Sequence, residues 1–185
     1  MGKRNSSFVG KFFTIAAICM LSVAVFTGCG KLNKLFTSDE ELAGDFRSDI
    51  QKKLNEESVK KEWIGGISVE KVVITESDGD EYEFDVTFTS DGNSVTVEGE
   101  GTYDGDYREW EISGEEMAKV YSLVVASLVK RELTSAASVT GRQVNTVEAE
   151  HVEGSLYECI VTFKDGEVKT GNVIFNDKNG KIMFL

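Results

Sequence analysis

The feature that most constrains this chain is an internal repeat with an offset of 75 residues. At this offset Ser38 falls on Ser113, and Glu41 falls on Glu116. Each pair forms a Ser-x-x-Glu sequence, which is typical of helix N-termini because both side chains can satisfy backbone N–H groups of the first turn. An amphipathic run follows each sequence. The apolar positions of the first run, Leu42, Phe46, Ile50 and Leu54, fall on Met117, Tyr121, Val125 and Val129.

The repeat continues from the helices into strands. Residues 82–88 (Tyr-Glu-Phe-Asp-Val-Thr-Phe) fall on residues 157–163 (Tyr-Glu-Cys-Ile-Val-Thr-Phe), and the alternation is typical of half-buried strands. Turn sequences such as Asp-Gly separate further strands. The predicted strands are 67–76, 82–88, 93–103, 107–112, 143–152, 155–164, 167–176 and 180–185. The sequence therefore predicts an α+β fold, a tandem repeat of one helix followed by a four-stranded antiparallel meander.

The two predicted repeats, 38–112 and 113–185, carry different helices. The first helix, from Asp39 to the neighbourhood of Val59 or Trp63, has a narrow apolar stripe and is expected to lie on one surface. The second, over about 114–133, has a much wider stripe. We expect it to be covered on two sides, between its own sheet and the other repeat. The Ser/Thr-rich segment 134–142 is predicted to be a connection.

The N-terminal segment indicates export. Lys3, Arg4 and Lys11 form a basic leader, and an uncharged run leads to Cys29. The sequence Phe26-Thr27-Gly28-Cys29 resembles the lipobox of bacterial lipoproteins, although Phe26 stands where leucine is commoner. An ordinary signal peptide and an uncleaved anchor are the alternatives.

The lipobox resemblance implies a processed, lipid-anchored protein. Residues 1–28 would be a lipoprotein signal peptide, Cys29 would carry the lipid, and residues 29–37 would form a tether. We therefore expect an extracytoplasmic location at the bacterial cell membrane, with the lipid on Cys29 as the membrane contact.

The charge balance limits the possible partners. The chain has 20 Lys and Arg against 32 Asp and Glu, a formal net charge of −12. Loss of the leader removes three basic residues and no acidic one, which leaves 17 against 32. A chain this acidic repels nucleic acid and anionic lipid headgroups. Nucleic acid is thus not expected as a partner, and membrane attachment is assigned to the lipid.

The sequence shows no catalytic constellation. With Cys19 in the leader and Cys29 assigned to the lipid, Cys159 is left without a disulfide partner, on the apolar side of a predicted strand. We expect it to be buried. The only histidine, His151, lies near a strand end beside glutamates and is expected to be exposed. We therefore predict no catalytic residue and no enzymatic activity.

No metal or cofactor site is predicted either. Zinc needs more His and Cys ligands than the one of each that the mature chain would have. The Asp-Gly-Asp sequences at 78–80 and 104–106 lack the spacing of a calcium loop and are read as hairpin turns. No cofactor is implied.

The predicted topology of residues 38–185 resembles cystatin-like folds. Its tandem form is similar to the β-lactamase inhibitory protein type, which implies binding of another protein on a sheet face. No inhibitory motif of these families is present, and their disulfides cannot form here, so no functional residue is carried over.

One difference between the repeats suggests a candidate surface. Glu81 and Asp85, predicted to face outward, correspond to Leu156 and Ile160. The simpler explanation, which we favour at this point, is burial of both against the first repeat. The other is an exposed apolar surface, completed by residues of 173–175 and 182–184, that docks a partner.

The predicted function follows from the anchor and this surface. We expect a lipid-anchored binding protein whose sheet face contacts a protein or an envelope component. The alternative is a small-molecule binding or enzyme-like module with a pocket between a helix and a curved sheet.

Overall fold

The computed structural model describes residues 25–26 and 37–185. Cys29 and most of the predicted signal peptide and tether lie outside the described residues. The fold is α+β, as predicted, with two helices, a 3₁₀ turn and antiparallel strands. The elements are β1 (Val25–Phe26), α1 (Asp39–Lys60), the 3₁₀ turn (Glu62–Ile64), β2 (Ser68–Asp78), β3 (Glu81–Ser90), β4 (Asn93–Tyr103), β5 (Tyr107–Glu111), α2 (Gly114–Thr140), β6 (Val144–Glu153), β7 (Leu156–Phe163), β8 (Val168–Asn176) and β9 (Lys181–Phe184).

The strands form two separate sheets, each built mainly from one meander. Sheet A has the order β1-β5-β4-β3-β2, and sheet B has the order β6-β7-β8-β9. The predicted turns are present. In the β3–β4 hairpin, Asp91 and Gly92 adopt φ values of 51° and 84°, the left-handed conformation that a two-residue type I′ turn requires at both positions.

Both helices begin at the predicted serines. Ser38 Oγ accepts a hydrogen bond from the backbone N–H of Glu41 at 3.2 Å, and Ser113 Oγ accepts from that of Glu116 at 3.2 Å. The Glu116 carboxylate accepts a hydrogen bond from the backbone N–H of Glu98 at 3.2 Å. This contact ties the start of α2 to β4.

The predicted end of the second helix is wrong. The helix does not stop near residue 133 but continues through the Ser/Thr-rich segment to Thr140. Ser135 fits inside it because its hydroxyl donates to the carbonyl of Arg131 at 2.9 Å, a bond compatible with helical backbone. The helix ends at Gly141, whose φ of 72° and N–H bond to Ala137 form a left-handed cap.

Helix α2 lies between the two sheets, as its wide apolar stripe predicts. It contacts β3 and β4 of sheet A and β6, β7 and β9 of sheet B. Its buried side chains are consecutive along the chain, so they cover more than one face of the helix. They include Val120, Tyr121, Leu123, Val124, Val125 and Ala126.

Trp63 of the 3₁₀ turn joins the first half of the chain to sheet B. Its ring meets Tyr121 of α2 edge-on at 5.3 Å between centroids, and Phe175 of β8 at 5.1 Å. Gly180, in the β8–β9 turn, lies so close that a Cβ there would clash with the indole. Both halves therefore contribute to one hydrophobic core.

A buried ion pair fixes β5 against α1. Asp49 of α1 is only 8% exposed, as is Arg108 of β5. Arg108 Nε donates to Asp49 Oδ2 at 2.8 Å, and its Nη1 contacts the Asp45 carboxylate. The guanidinium is thus held by two carboxylates of one helix.

Replacing Asp49 by alanine should lower the free energy of unfolding by about 3 kcal/mol, because the buried guanidinium loses its buried partner. Asp45→Ala is the matched control. The Asp45 side chain is 47% exposed, so its loss should cost at most about 1 kcal/mol. Urea denaturation followed by tryptophan fluorescence measures both. Equal losses, or none at Asp49, would contradict this assignment.

Candidate functional site

The two faces of sheet B differ in what covers them. The inner face packs against α2 through buried side chains, among them Tyr157, Cys159 and Val161. On the outer face, Leu156 of β7 lies opposite Ile174 of β8, which lies opposite Met183 of β9. An apolar row therefore crosses three strands on the face turned away from α2.

Ile160 and Val168 lie farther along the same face, beyond Glu158 and Asn172. We use the name apolar strip for Leu156, Ile160, Val168, Ile174 and Met183. Leu156 and Ile174 are half-buried, whereas Ile160 is 41% exposed and Val168 and Met183 are more exposed still. These five side chains form two apolar groups on the outer face of sheet B, Leu156, Ile174 and Met183 in one and Ile160 and Val168 in the other.

The favoured expectation that Leu156 and Ile160 are buried against the first repeat is wrong for Ile160. Helix α2 fills the space between the sheets, so the outer face of sheet B points away from sheet A. Sheet A approaches the free edge of β6, where Asn93 Nδ2 donates to the carbonyl of Val147 at 3.2 Å. A groove of about 450 Å³ lies at that edge and reaches Ile160.

Glutamates border the apolar strip on the β6 side. Glu148 lies opposite Ile160, and Glu153 lies opposite Leu156. Glu150 and Glu158 face each other directly across β6 and β7, and like charges in that position are destabilising. Folding stability therefore does not account for this pair.

The outer face of sheet A has the opposite character. Hydroxyl pairs join its strands, with Thr87 and Thr96 oxygens 2.9 Å apart. Glu83, Glu100 and Glu111 form a cross-strand row of carboxylates beside an open groove of about 670 Å³. Within residues 25–26 and 37–185, no group of three or more His, Cys, Asp and Glu side chains is arranged to hold a metal ion.

Cys159 is buried, as predicted. Burial, with a smaller contribution from Glu158, raises the pKa of its thiol to about 11. Very little of the reactive thiolate therefore forms near neutral pH. Cys159 acts as a packing residue of the inner face.

The histidine and the tyrosine beside it have structural contacts. His151 is half-buried, less exposed than expected, with Nε2 3.1 Å from the carbonyl of Gly154 and its ring 5.2 Å from that of Tyr157. The Tyr157 hydroxyl donates to the carbonyl of Ala118 at 3.0 Å. Burial raises the pKa of Tyr157 well above its usual value, so the phenol stays protonated and keeps this bond.

Comparison of the chain with protein families, with characterised proteins and with solved structures finds no match. Among the described residues, no helix has the length and apolar character needed to cross a membrane. The assignment of the candidate site is therefore based on the exposure and chemistry of its own residues. Sequence reasoning named Leu156, Ile160 and the segments that hold Ile174 and Met183, but it missed Val168, which alternation from Ile174 along β8 would have placed on the same face.

Proposed function

We propose that this chain is a lipid-anchored extracytoplasmic binding protein, without enzymatic activity of its own, that binds a protein or envelope component through the apolar strip. The observation that carries the proposal is the exposure of Ile160, Val168 and Met183 on one sheet face. A group of exposed apolar side chains on one face with charged residues beside it is typical of interaction sites.

The border of the strip suggests the chemistry of the partner. Glu148, Glu150 and Glu153 are exposed along its β6 side, and Glu158 is exposed between Leu156 and Ile160 on β7. A complementary surface would have an apolar centre and basic side chains facing these carboxylates, because opposed charges at an interface rim speed association and fix its orientation. We therefore propose a protein partner with that pattern.

We further propose that residues 38–112 and 113–185 are tandem copies of one cystatin-like unit. Each consists of a serine-capped helix followed by a four-stranded meander. Buried Phe84 and Val86 correspond to buried Cys159 and Val161. In this proposal the copies diverged mainly on the outer face, where Asp85 of one corresponds to Ile160 of the other. The resemblance to the β-lactamase inhibitory protein type, which implies binding on a sheet face, agrees with this view.

The lipid anchor is proposed from the sequence Phe26-Thr27-Gly28-Cys29. Cleavage before Cys29 would also remove β1, which pairs with β5 through Val25–Arg108 and Phe26–Tyr107. The meander β2–β5 does not depend on this contact, because its four strands pair with one another. The mature chain would then present β5 as an edge strand of sheet A.

Packing beneath the first helix supports surface binding over the alternative of a ligand pocket between helix and sheet. The rings of Phe46 and Phe84 stack at 4.9 Å between centroids. Phe46 also packs so closely on Gly101 that a Cβ there would lie 2.7 Å from the ring. The space that such a pocket would need is filled by side chains.

Replacing Cys29 by serine should abolish incorporation of a radiolabelled fatty acid and leave the chain unprocessed, because serine offers no thiol for the lipid. Cys19→Ser is the control, since that residue would be removed with the leader, and it should be labelled like the wild type. Labelling of the Cys29→Ser variant at the wild-type level would sink the lipoprotein proposal.

Ile160→Asp should weaken binding at least about tenfold, because a charge is placed within the apolar contact. The free energy of unfolding should fall by no more than about 1 kcal/mol, since the side chain is exposed and the new carboxylate lies opposite Glu148. Binding is measured by quantitative capture of the partner from envelope extracts with the tagged full chain, and stability by thermal denaturation.

Val73→Asp is the matched control for this experiment. Val73 is 39% exposed and lies opposite Asp85 on the outer face of sheet A. The Val73→Asp substitution therefore introduces the same charge at similar exposure on the other sheet. Binding should survive in this variant. Equal loss in both variants, or a large loss of stability in Ile160→Asp, would contradict the proposed site.

A further inference from the structure

The free edges of the two sheets are protected to different degrees. At the β2 edge, the Val69 N–H donates to Gln51 Oε1 at 2.7 Å, and Arg47 Nε donates to the Val69 carbonyl at 3.1 Å. Bulges further interrupt β2, and Asn93 bonds the β6 edge at Val147. Such devices prevent a sheet edge from pairing with another chain.

Strand β9 has the opposite properties. Met183, Phe184 and the following Leu185 are 55%, 52% and 71% exposed. Met183 and Leu185 lie on the outer face, and Phe184, opposite Val173, lies on the inner face. Apolar side chains are therefore exposed on both faces of one edge strand, which is the pattern of a strand that accepts a further strand.

The hydrogen-bond pattern shows which backbone groups of β9 are free. The Leu185 N–H donates to the carbonyl of Asn172 at 3.0 Å, and Met183 lies opposite Ile174. Because bonding alternates along an antiparallel strand, the N–H and C=O groups of Ile182 and Phe184 point away from β8. Within the described part of the chain, no hydrogen bond reaches these outward groups.

We infer that β9 is a self-association edge, at which β9 strands of two copies of this chain pair antiparallel. The two-fold axis passes midway between the two Met183 residues. The pairing joins two four-stranded sheets into one sheet of eight strands. The β9 edge shares Met183 with the apolar strip, and the outer row formed by Leu156, Ile174 and Met183 would continue into the second copy.

The register supports a second copy as the occupant because β9 is complementary to itself. A two-fold axis at Met183 places Ile182 opposite Phe184 of the other copy, so that outward-facing groups meet outward-facing groups and form four backbone hydrogen bonds. Apolar side chains oppose apolar side chains on both faces. Such an isologous contact closes at two copies.

The charge distribution points to the same edge. The whole chain has a net charge of −12, which opposes self-association through most of its surface. Residues 168–185 carry three lysines, Lys169, Lys178 and Lys181, and one acidic residue, Asp177. Pairing along β9 therefore brings few carboxylates of the two copies together.

The contact is small. A single short strand buries less than the roughly 1,200–2,000 Å² of stable interfaces, so we expect a weak, reversible dimer. Sedimentation velocity of the purified full chain in detergent, over about 5 to 500 μM, should show a concentration-dependent shift from monomer to dimer. A monomer throughout this range would overturn the inference.

Disulfide trapping tests the register. Met183 would face its counterpart as a non-hydrogen-bonded pair with Cα atoms about 4.5 Å apart, within the range for a disulfide. Met183→Cys should therefore form a covalent dimer under mild oxidation, at least about tenfold faster than Ile160→Cys, a control on the same face. Equal rates would overturn the register.

Proline at position 184 tests the backbone contact without breaking sheet B. In Phe184→Pro the lost N–H is an outward one, and proline is tolerated on sheet edges in that position. This change should abolish cross-linking by Met183→Cys, whereas Phe184→Ala, which keeps the N–H, should retain most of it. Unchanged cross-linking in the variant that also carries Phe184→Pro would overturn the inference. It would also be overturned if the wild-type chain were monomeric and Phe184→Pro instead abolished binding of a different protein.

Discussion

The burial of α2 between two sheets is the constraint on which the rest of the structure depends. Val120 and Val125 are completely buried, and the apolar side chains of the helix cover more than one of its faces, so a single sheet could not shield it. Both inner sheet faces are used to cover the helix. Within the described residues, this leaves two outer sheet faces, the sheet edges and the exposed side of α1 for contacts with other molecules.

The outer faces have become chemically different while the inner faces share one core. Sheet A carries a row of carboxylates from Glu83, Glu100 and Glu111, and sheet B carries the apolar strip. Edge protection differs as well, since Gln51 and Arg47 bond the edge of β2 and β9 exposes apolar side chains. In our proposal these differences separate partner binding and self-association, on sheet B, from the acidic outer face of sheet A.

Sequence reasoning succeeded where structure depends on neighbours along the chain. Capping serines, apolar periodicity and Asp-Gly turns are local signals, so Ser38, Ser113 and the hairpins were predicted correctly. The pairing of Asp49 with Arg108, 59 residues apart, depends on tertiary packing and has no local signal. Alternation identified the face on which Ile160 lies, but not what covers that face. The Ser/Thr-rich end of α2 was misread because hydroxyl bonds such as that of Ser135 keep it helical.

Native-state hydrogen exchange tests the central claim, that α2 makes both sheets one cooperative unit. The account predicts that amides near Val125 in α2, Val86 in β3 and Val161 in β7 exchange only through global unfolding, with the same opening free energy. An opening free energy of sheet B more than about 2 kcal/mol below that of sheet A would mean that the halves unfold separately, and would contradict a shared core around α2.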